Sequence, residues 1–168
     1  KVLNYSANKR VFMEKRYNIE KVNIPYGVLH DQKLICVKSE KNKLIFKFEI
    51  EVYEDDYPNP EIFNMYKNFK YCDMEVEMDD EPWNYFRLET CPDKHGKYKG
   101  ISLNREDFLK VINNSSETTF IECSSTYGEF HIELCVDYYH SKKAYRKLKK
   151  YDMCRITIDA KNVTWTWY

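Results

Sequence analysis

The feature that most constrains this chain is a two-residue alternation of apolar and charged side chains that recurs in four segments. Between residues 44 and 52 the even positions Leu44, Phe46, Phe48, Ile50 and Val52 are apolar, with Lys47, Glu49 and Glu51 among their alternates. Cys72, Met74, Val76 and Met78 alternate with Asp73, Glu75, Glu77 and Asp79. Phe130, Ile132, Leu134 and Val136 alternate with Glu129, His131, Glu133 and Asp137. A fourth copy runs from Cys154 through Ile156 and Ile158 to Ala160. Successive strand residues point to opposite faces, so this period sets an apolar face on a core and a polar face in water. Parallel sheets are covered on both sides and read as unbroken apolar runs; alternation therefore specifies an antiparallel sheet.

Weaker strands are expected over residues 29–38, 85–90, 98–103, 118–124 and 163–168. Turn residues at Lys41-Asn42, Lys94-His95-Gly96 and Tyr127-Gly128 punctuate them. Asn59-Pro60-Glu61 reads as a helix start, because proline at the first helical position gives up an amide that has no partner there. Ile62, Tyr66 and Phe69 would form its inner face. Asn104 caps a second helix with Glu106 and Asp107 in its first turn and Phe108, Leu109 and Ile112 as its buried stripe. Ser141 is expected to cap a third, with Ala144, Leu148 and Tyr151 facing inward. The class is therefore α+β, mainly β: an antiparallel sheet or β-sandwich with two or three short covering helices. The 168 residues make a single domain, 1–168, in which 1–27 read as a poorly defined N-terminal extension.

Composition removes several functions. A chain that is 43% hydrophobic and 16% aromatic is not disordered, and no apolar run approaches the roughly 18 residues of a membrane span, so no membrane partner is expected. Four glycines cannot build a phosphate-cradling loop, and neither a nucleophile elbow nor a zinc-binding helix is present. His30, His95, His131 and His140 are scattered; the His30-Asp31 step reads as a structural strand start, and His131 stands between Glu129 and Glu133 without a second histidine at ligand spacing. The six cysteines form no C-x-x-C pair and read as free thiols in a reducing cytoplasm. No cofactor and no metal is expected, and nothing nominates a catalytic residue. A hydrolase built on a carboxylate pair stays as a second alternative.

Formal net charge is zero, yet the charge is segregated. Residues 1–48 carry +7, residues 49–81 carry −10, residues 82–140 carry −3 and residues 141–168 carry +6. The outward faces of the acidic strands are almost wholly carboxylate. Like charges opposite one another on neighbouring strands cost a few tenths to about 1 kcal/mol per pair, so stability does not call for them. A negative face steers and selects a cationic partner. The residues expected to bind such a partner are Glu49, Glu51, Asp73, Glu75, Glu77 and Asp79, joined by Glu129 and Glu133. The basic stretch 142–150 would either cover that face from within or be solvated; no nucleic-acid-binding module accompanies it, so nucleic acid is not the expected partner. Trp165, Trp167 and Tyr168 offer an alternative ligand platform, that of a carbohydrate-binding β-sandwich, although the two tryptophans sharing one strand face also suit a core plug.

Leu29-His30-Asp31, followed by Leu34, Val37 and the strand 44–48, resembles the opening hairpin of small uncharacterised bacterial β-rich proteins, some taken to be immunity proteins of polymorphic-toxin systems. The resemblance implies a non-catalytic inhibitor that blocks a toxin, often a basic nuclease, with an acidic surface. It covers about 20 residues and carries over no functional residue. The expectation is thus a cytoplasmic protein-binding module whose acidic sheet face engages a basic protein.

Overall fold

All four alternating segments are strands, and their apolar alternates face one shared interior. A computed structural model describes residues 2–3, 12–18, 30–56, 59–78, 84–126 and 128–168. Its elements are β1 (Val2–Leu3), β2 (Phe12–Asn18), β3 (Lys33–Glu40), β4 (Lys43–Glu49), α1 (Pro60–Tyr66), β5 (Tyr71–Met78), β6 (Asn84–Glu89), β7 (Gly100–Leu103), α2 (Arg105–Ile112), β8 (Glu117–Thr126), β9 (Glu129–Asp137) and β10 (Met153–Trp167). Single 3₁₀ turns occupy Glu54–Asp56 and Arg146–Leu148. Leu29, Tyr127 and Asp79 lie outside the described residues.

The strands form one antiparallel sheet, not a sandwich. Strands β3, β4, β5, β10, β9 and β8 pair in that order, and β8 returns to β3, closing a six-stranded barrel. The seam is short: Lys33 stands opposite Thr119, and Asp31 and Phe120 donate backbone hydrogen bonds to Phe120 and Gln32. Beyond it the Asn113 side chain takes the place of a neighbouring strand, accepting from Val37 N at 2.7 Å and donating to Val37 O at 2.8 Å. The expectation of a sandwich fails because β10 is long enough to serve two sets of partners. Its first half lies between β9 and β6, its second half between β5 and β2.

What allows this is a bulge at Lys161, where the register with β5 steps from Ala160 to Asn162. Cys154, Ile156, Ile158 and Ala160 point inward before it, and Val163, Trp165 and Trp167 after it. The segments at 154–160 and 163–168 are therefore one strand of 15 residues.

Aromatic and aliphatic side chains fill the interior: Phe46, Phe48, Phe120, Phe130 and Trp167 are all completely buried. Phe48 and Phe120 meet edge to face at 5.5 Å, joining β4 to β8 across the barrel. Helix α2 starts where expected, Asn104 accepting from Asp107 N at 2.8 Å. It lays Phe108 flat on Phe86, with ring centroids 4.4 Å apart. Helix α1 is capped by Asn59 and buries Tyr66, and Phe69 follows it into the core, but Ile62 points to solvent.

The third expected helix is absent. Residues 138–151 form turns around the 3₁₀ turn Arg146–Leu148, with Leu148 and Tyr151 buried and Ala144 exposed. Two apolar anchors make too narrow a stripe for an amphipathic α-helix, and the backbone closes i to i−3 bonds instead, Leu148 to Tyr145 and Tyr151 to Leu148. His30 and Asp31 likewise sit in a turn rather than opening a strand. Asp31 has φ of 62°, and the His30 Nδ1 to Asp31 Oδ2 distance is 2.9 Å.

Candidate functional site

With the interior filled, the candidate surfaces are the two outward faces of the barrel. The first spans β2, the second half of β10, β5, β4 and β3. Here the carboxylate row Asp73, Glu75 and Glu77 lies between strands that supply cations. Register sets Lys47 opposite Asp73, Lys43 opposite Glu77, Lys33 opposite Glu49 and Glu40 opposite Lys43. Each is a pair of opposite charge.

The side chains use that proximity. Lys43 Nζ lies 2.8 Å from Glu75 and Arg16 lies 2.9 Å from Glu77. Tyr168 donates to both Asp73 oxygens, at 3.2 and 3.3 Å, and Lys47 rests over the Tyr168 ring at 5.3 Å. The hydrogen bond to Glu75, with that carboxylate's charge, holds the Lys43 ammonium above its usual pKa; Tyr168 does the same for Lys47. Glu51 lies past the end of β4, exposed, and accepts from Tyr53 at 2.8 Å. Five of the eight expected partner-binding residues, Glu49, Glu51, Asp73, Glu75 and Glu77, thus lie on or beside a face whose cations are already interleaved. The stretch 142–150 contributes no ion pair to it among the described residues.

The second face spans β8, β9 and the first half of β10, with β6 beside it. Register here sets like against like: Glu117 opposite Asp137, Glu122 opposite Glu133, and Glu129 opposite Asp159. The exception is Arg155, opposite Glu133 and 2.9 Å from it. Arg155 is divided between two acids, because it also lies 3.3 Å from Glu89. Glu89 is nearly buried and has Arg87 at 2.7 Å as well.

Glu122, Ser124, His131, Glu133, Arg155 and Thr157 line a depression of about 240 Å³ on this face. Glu122 is exposed at its edge. His131 lies 3.1 Å from Thr157 Oγ1 through Nδ1 and 3.5 Å from Glu129 through Nε2. A second groove, of about 290 Å³, runs along the seam on the other side of β8, lined by Lys33, Ile35, Glu49, Asn113, Ser116 and Glu117 among others.

Glu129 and Glu133 are therefore central to the more acidic face; the sequence pattern read Asp137 as outward beside them but did not bring forward Glu117, Glu122 and Asp159. A cross-strand register was the missing signal. Trp165 and Trp167 are only 3% and 0% exposed, their rings edge to face at 5.5 Å in rows shared with Met74 and Cys72. No ring face is free for a sugar to stack on. Tyr168, half-buried, is engaged with Asp73 and Lys47.

Among the described residues no group of three or more His, Cys, Asp or Glu side chains could hold a metal ion, and no helix is long and apolar enough to cross a membrane. All six cysteines are unpaired, and burial pushes the Cys123 thiol up to about 12, with Cys72 and Cys154 also raised by burial. Such thiols stay protonated near neutrality and pack as small apolar groups. Comparison with family models, curated proteins and solved structures gives no match for this chain.

Proposed function

We propose that this chain is a non-catalytic binding module that engages a basic protein through the carboxylate face of β8, β9 and β10, as an immunity-like inhibitor of a toxin would. One observation carries the reading: the like-charged cross-strand pairs Glu117/Asp137 and Glu122/Glu133. Each opposes two carboxylates at the Cα spacing of paired strands and costs a few tenths to about 1 kcal/mol. Against a domain stability of roughly 5–15 kcal/mol this is a measurable concession. A lysine or arginine arriving from a partner converts each repulsion into charge-assisted hydrogen bonds, and the field of the face accelerates its arrival. At the edge of the depression Glu122 is exposed and offers its carboxylate to such a cation. The six free thiols suit the expected reducing cytoplasm.

Titration with a labelled oligo-arginine peptide at low ionic strength tests the assignment. Reversal of Glu117 and Glu122 to Lys is expected to slow association about 10-fold or more, while reversal of Glu75 and Glu77 has a smaller effect. Equal effects on the two faces, or none on the second, would withdraw the proposal.

A further inference from the structure

The turn segment between β9 and β10 holds the positive counterpart of the acidic face. Lys142, Lys143, Arg146, Lys147, Lys149 and Lys150 place six cations in nine residues, with no carboxylate among them. Elsewhere on the barrel, Arg16, Lys43, Arg87 and Arg155 each have a carboxylate within ion-pair distance. Among the described residues none of the six does. The segment is nonetheless built to hold its shape. Tyr138 is completely buried, and Leu148 and Tyr151 are buried anchors. Buried Ser141 donates to the Tyr138 carbonyl at 2.8 Å, and Arg146 Nε donates to the Ser141 carbonyl at 3.0 Å. The backbone that carries these cations, and Arg146 with it, is therefore ordered before any anion binds. Beside them stands Tyr139, 64% exposed, with Lys149 Nζ 5.7 Å from its ring centroid.

We propose that this segment binds the phosphodiester backbone of a single-stranded nucleic acid, with Tyr139 stacking on one base. A cationic surface with an exposed aromatic ring is the combination that single strands use, since every base has a π face and every nucleotide a phosphate. A duplex is the poorer fit, because groove reading takes an α-helix or a two-stranded ribbon and a single 3₁₀ turn is neither. A membrane is poorer still, because Ala144 is the one exposed aliphatic residue in the segment and cannot anchor in lipid. The footprint is short. It ends where Glu117 and Asp137 begin the acidic face, which repels phosphate.

Fluorescence anisotropy of a labelled short oligothymidylate tests this on the full chain. Binding is expected at low salt, with log K falling against log salt at a slope of about −3 to −4, given roughly 0.7 for each phosphate neutralised. Converting the exposed Lys142, Lys143 and Lys147 to Glu is expected to lower affinity about 100-fold. Tyr139→Ala is expected to lower it about 10-fold, a loss specific to stacking. Circular dichroism of the same variants confirms that they fold. Glu122→Lys should leave oligonucleotide binding intact or strengthen it, so this result is independent of the acidic-face reading. Absence of binding at low salt, or equal affinity for parent and triple variant, would overturn the proposal. So would competition by polyglutamate or phosphatidylserine vesicles as effective as that by unlabelled oligonucleotide, which would assign the segment to acidic proteins or to lipid.

Discussion

The two outward faces of the barrel carry the same number of carboxylates and opposite electrostatic designs. On β2, β5, β4 and β3, six carboxylates (Glu14, Glu40, Glu49, Asp73, Glu75, Glu77) share the surface with five cations (Arg16, Lys33, Lys38, Lys43, Lys47). On β8, β9 and the first half of β10, six more (Glu117, Glu122, Glu129, Glu133, Asp137, Asp159) share it with one arginine, Arg155, and with His131 beside Glu129. Read strand by strand, β5 and β9 carry three outward carboxylates each, and β5 stands out because it lies in the most acidic stretch of the sequence. Read across strands, β5 has Lys43, Lys47 and Arg16 beside its carboxylates, while β9 faces Glu117 and Glu122 on one side and Arg155 and Asp159 on the other. Charge on a sheet is a property of register. A strand's own sequence shows how many carboxylates face outward, and only its partners show whether they are compensated.

Substitutions on either face separate the two designs. The largest effect should be the one that treats both faces alike, because they share one interior. Phe46→Ala behind the first face and Phe130→Ala behind the second remove completely buried rings, and each is expected to cost about 3–5 kcal/mol in urea denaturation. A loss confined to one of them would divide the barrel into unequal halves.

Next in size is a conversion. Replacing Lys43 and Lys47 with Gln strips the first face of the cations between Asp73, Glu75 and Glu77, and should raise its association rate with an oligo-arginine peptide severalfold, within the roughly 10-fold to 1000-fold scale of electrostatic steering. An unchanged rate would show that carboxylate density is not what attracts the peptide.

The smallest effect is a pH dependence. The Lys43 pKa is raised by Glu75, so the folded chain binds that proton more tightly than the unfolded chain does. Its contribution is complete below the ordinary lysine range and disappears as pH climbs through the raised value. Lys43→Met should therefore cost about 0.5 kcal/mol near neutrality, as exposed pairs do, with the difference from the parent closing above about pH 10.5.

The inward faces of the strands were legible from period alone. Leu44, Phe46 and Phe48, then Cys72, Met74, Val76 and Met78, then Phe130, Ile132, Leu134 and Val136 are all buried as the alternation requires. The caps at Asn59 and Asn104 were legible too, because local side-chain to backbone hydrogen bonds specify them. Barrel closure was not, since it depends on β10 pairing with β5 and on β8 returning to β3, strands distant in sequence. A trace of it was present. The apolar phase shifts from even positions through Ala160 to odd positions from Val163, and one extra residue at Lys161 reconciles the two within a single strand.

Glu129 and Glu133 were legible as outward carboxylates, but their importance was not, because it lies in the identities of Glu122, Asp159 and Arg155 opposite them. Glu122 was obscured further by the irregularity between Phe120 and Glu122, which takes β8 out of strict alternation. The basic stretch 142–150 was conspicuous in composition, while its conformation depended on how few apolar residues it contains.

The most direct test of the central claim is a comparison of Glu75→Lys with Glu122→Lys by equilibrium denaturation at low ionic strength. Glu75→Lys removes the ion pair with Lys43 and should destabilise the fold by about 0.5–1 kcal/mol. Glu122→Lys relieves the repulsion with Glu133 and should stabilise it by a few tenths to about 1 kcal/mol. Opposite signs are the expected result. Destabilisation by both would mean that the β8, β9 and β10 carboxylates serve the fold, and the case for a docking face would fall.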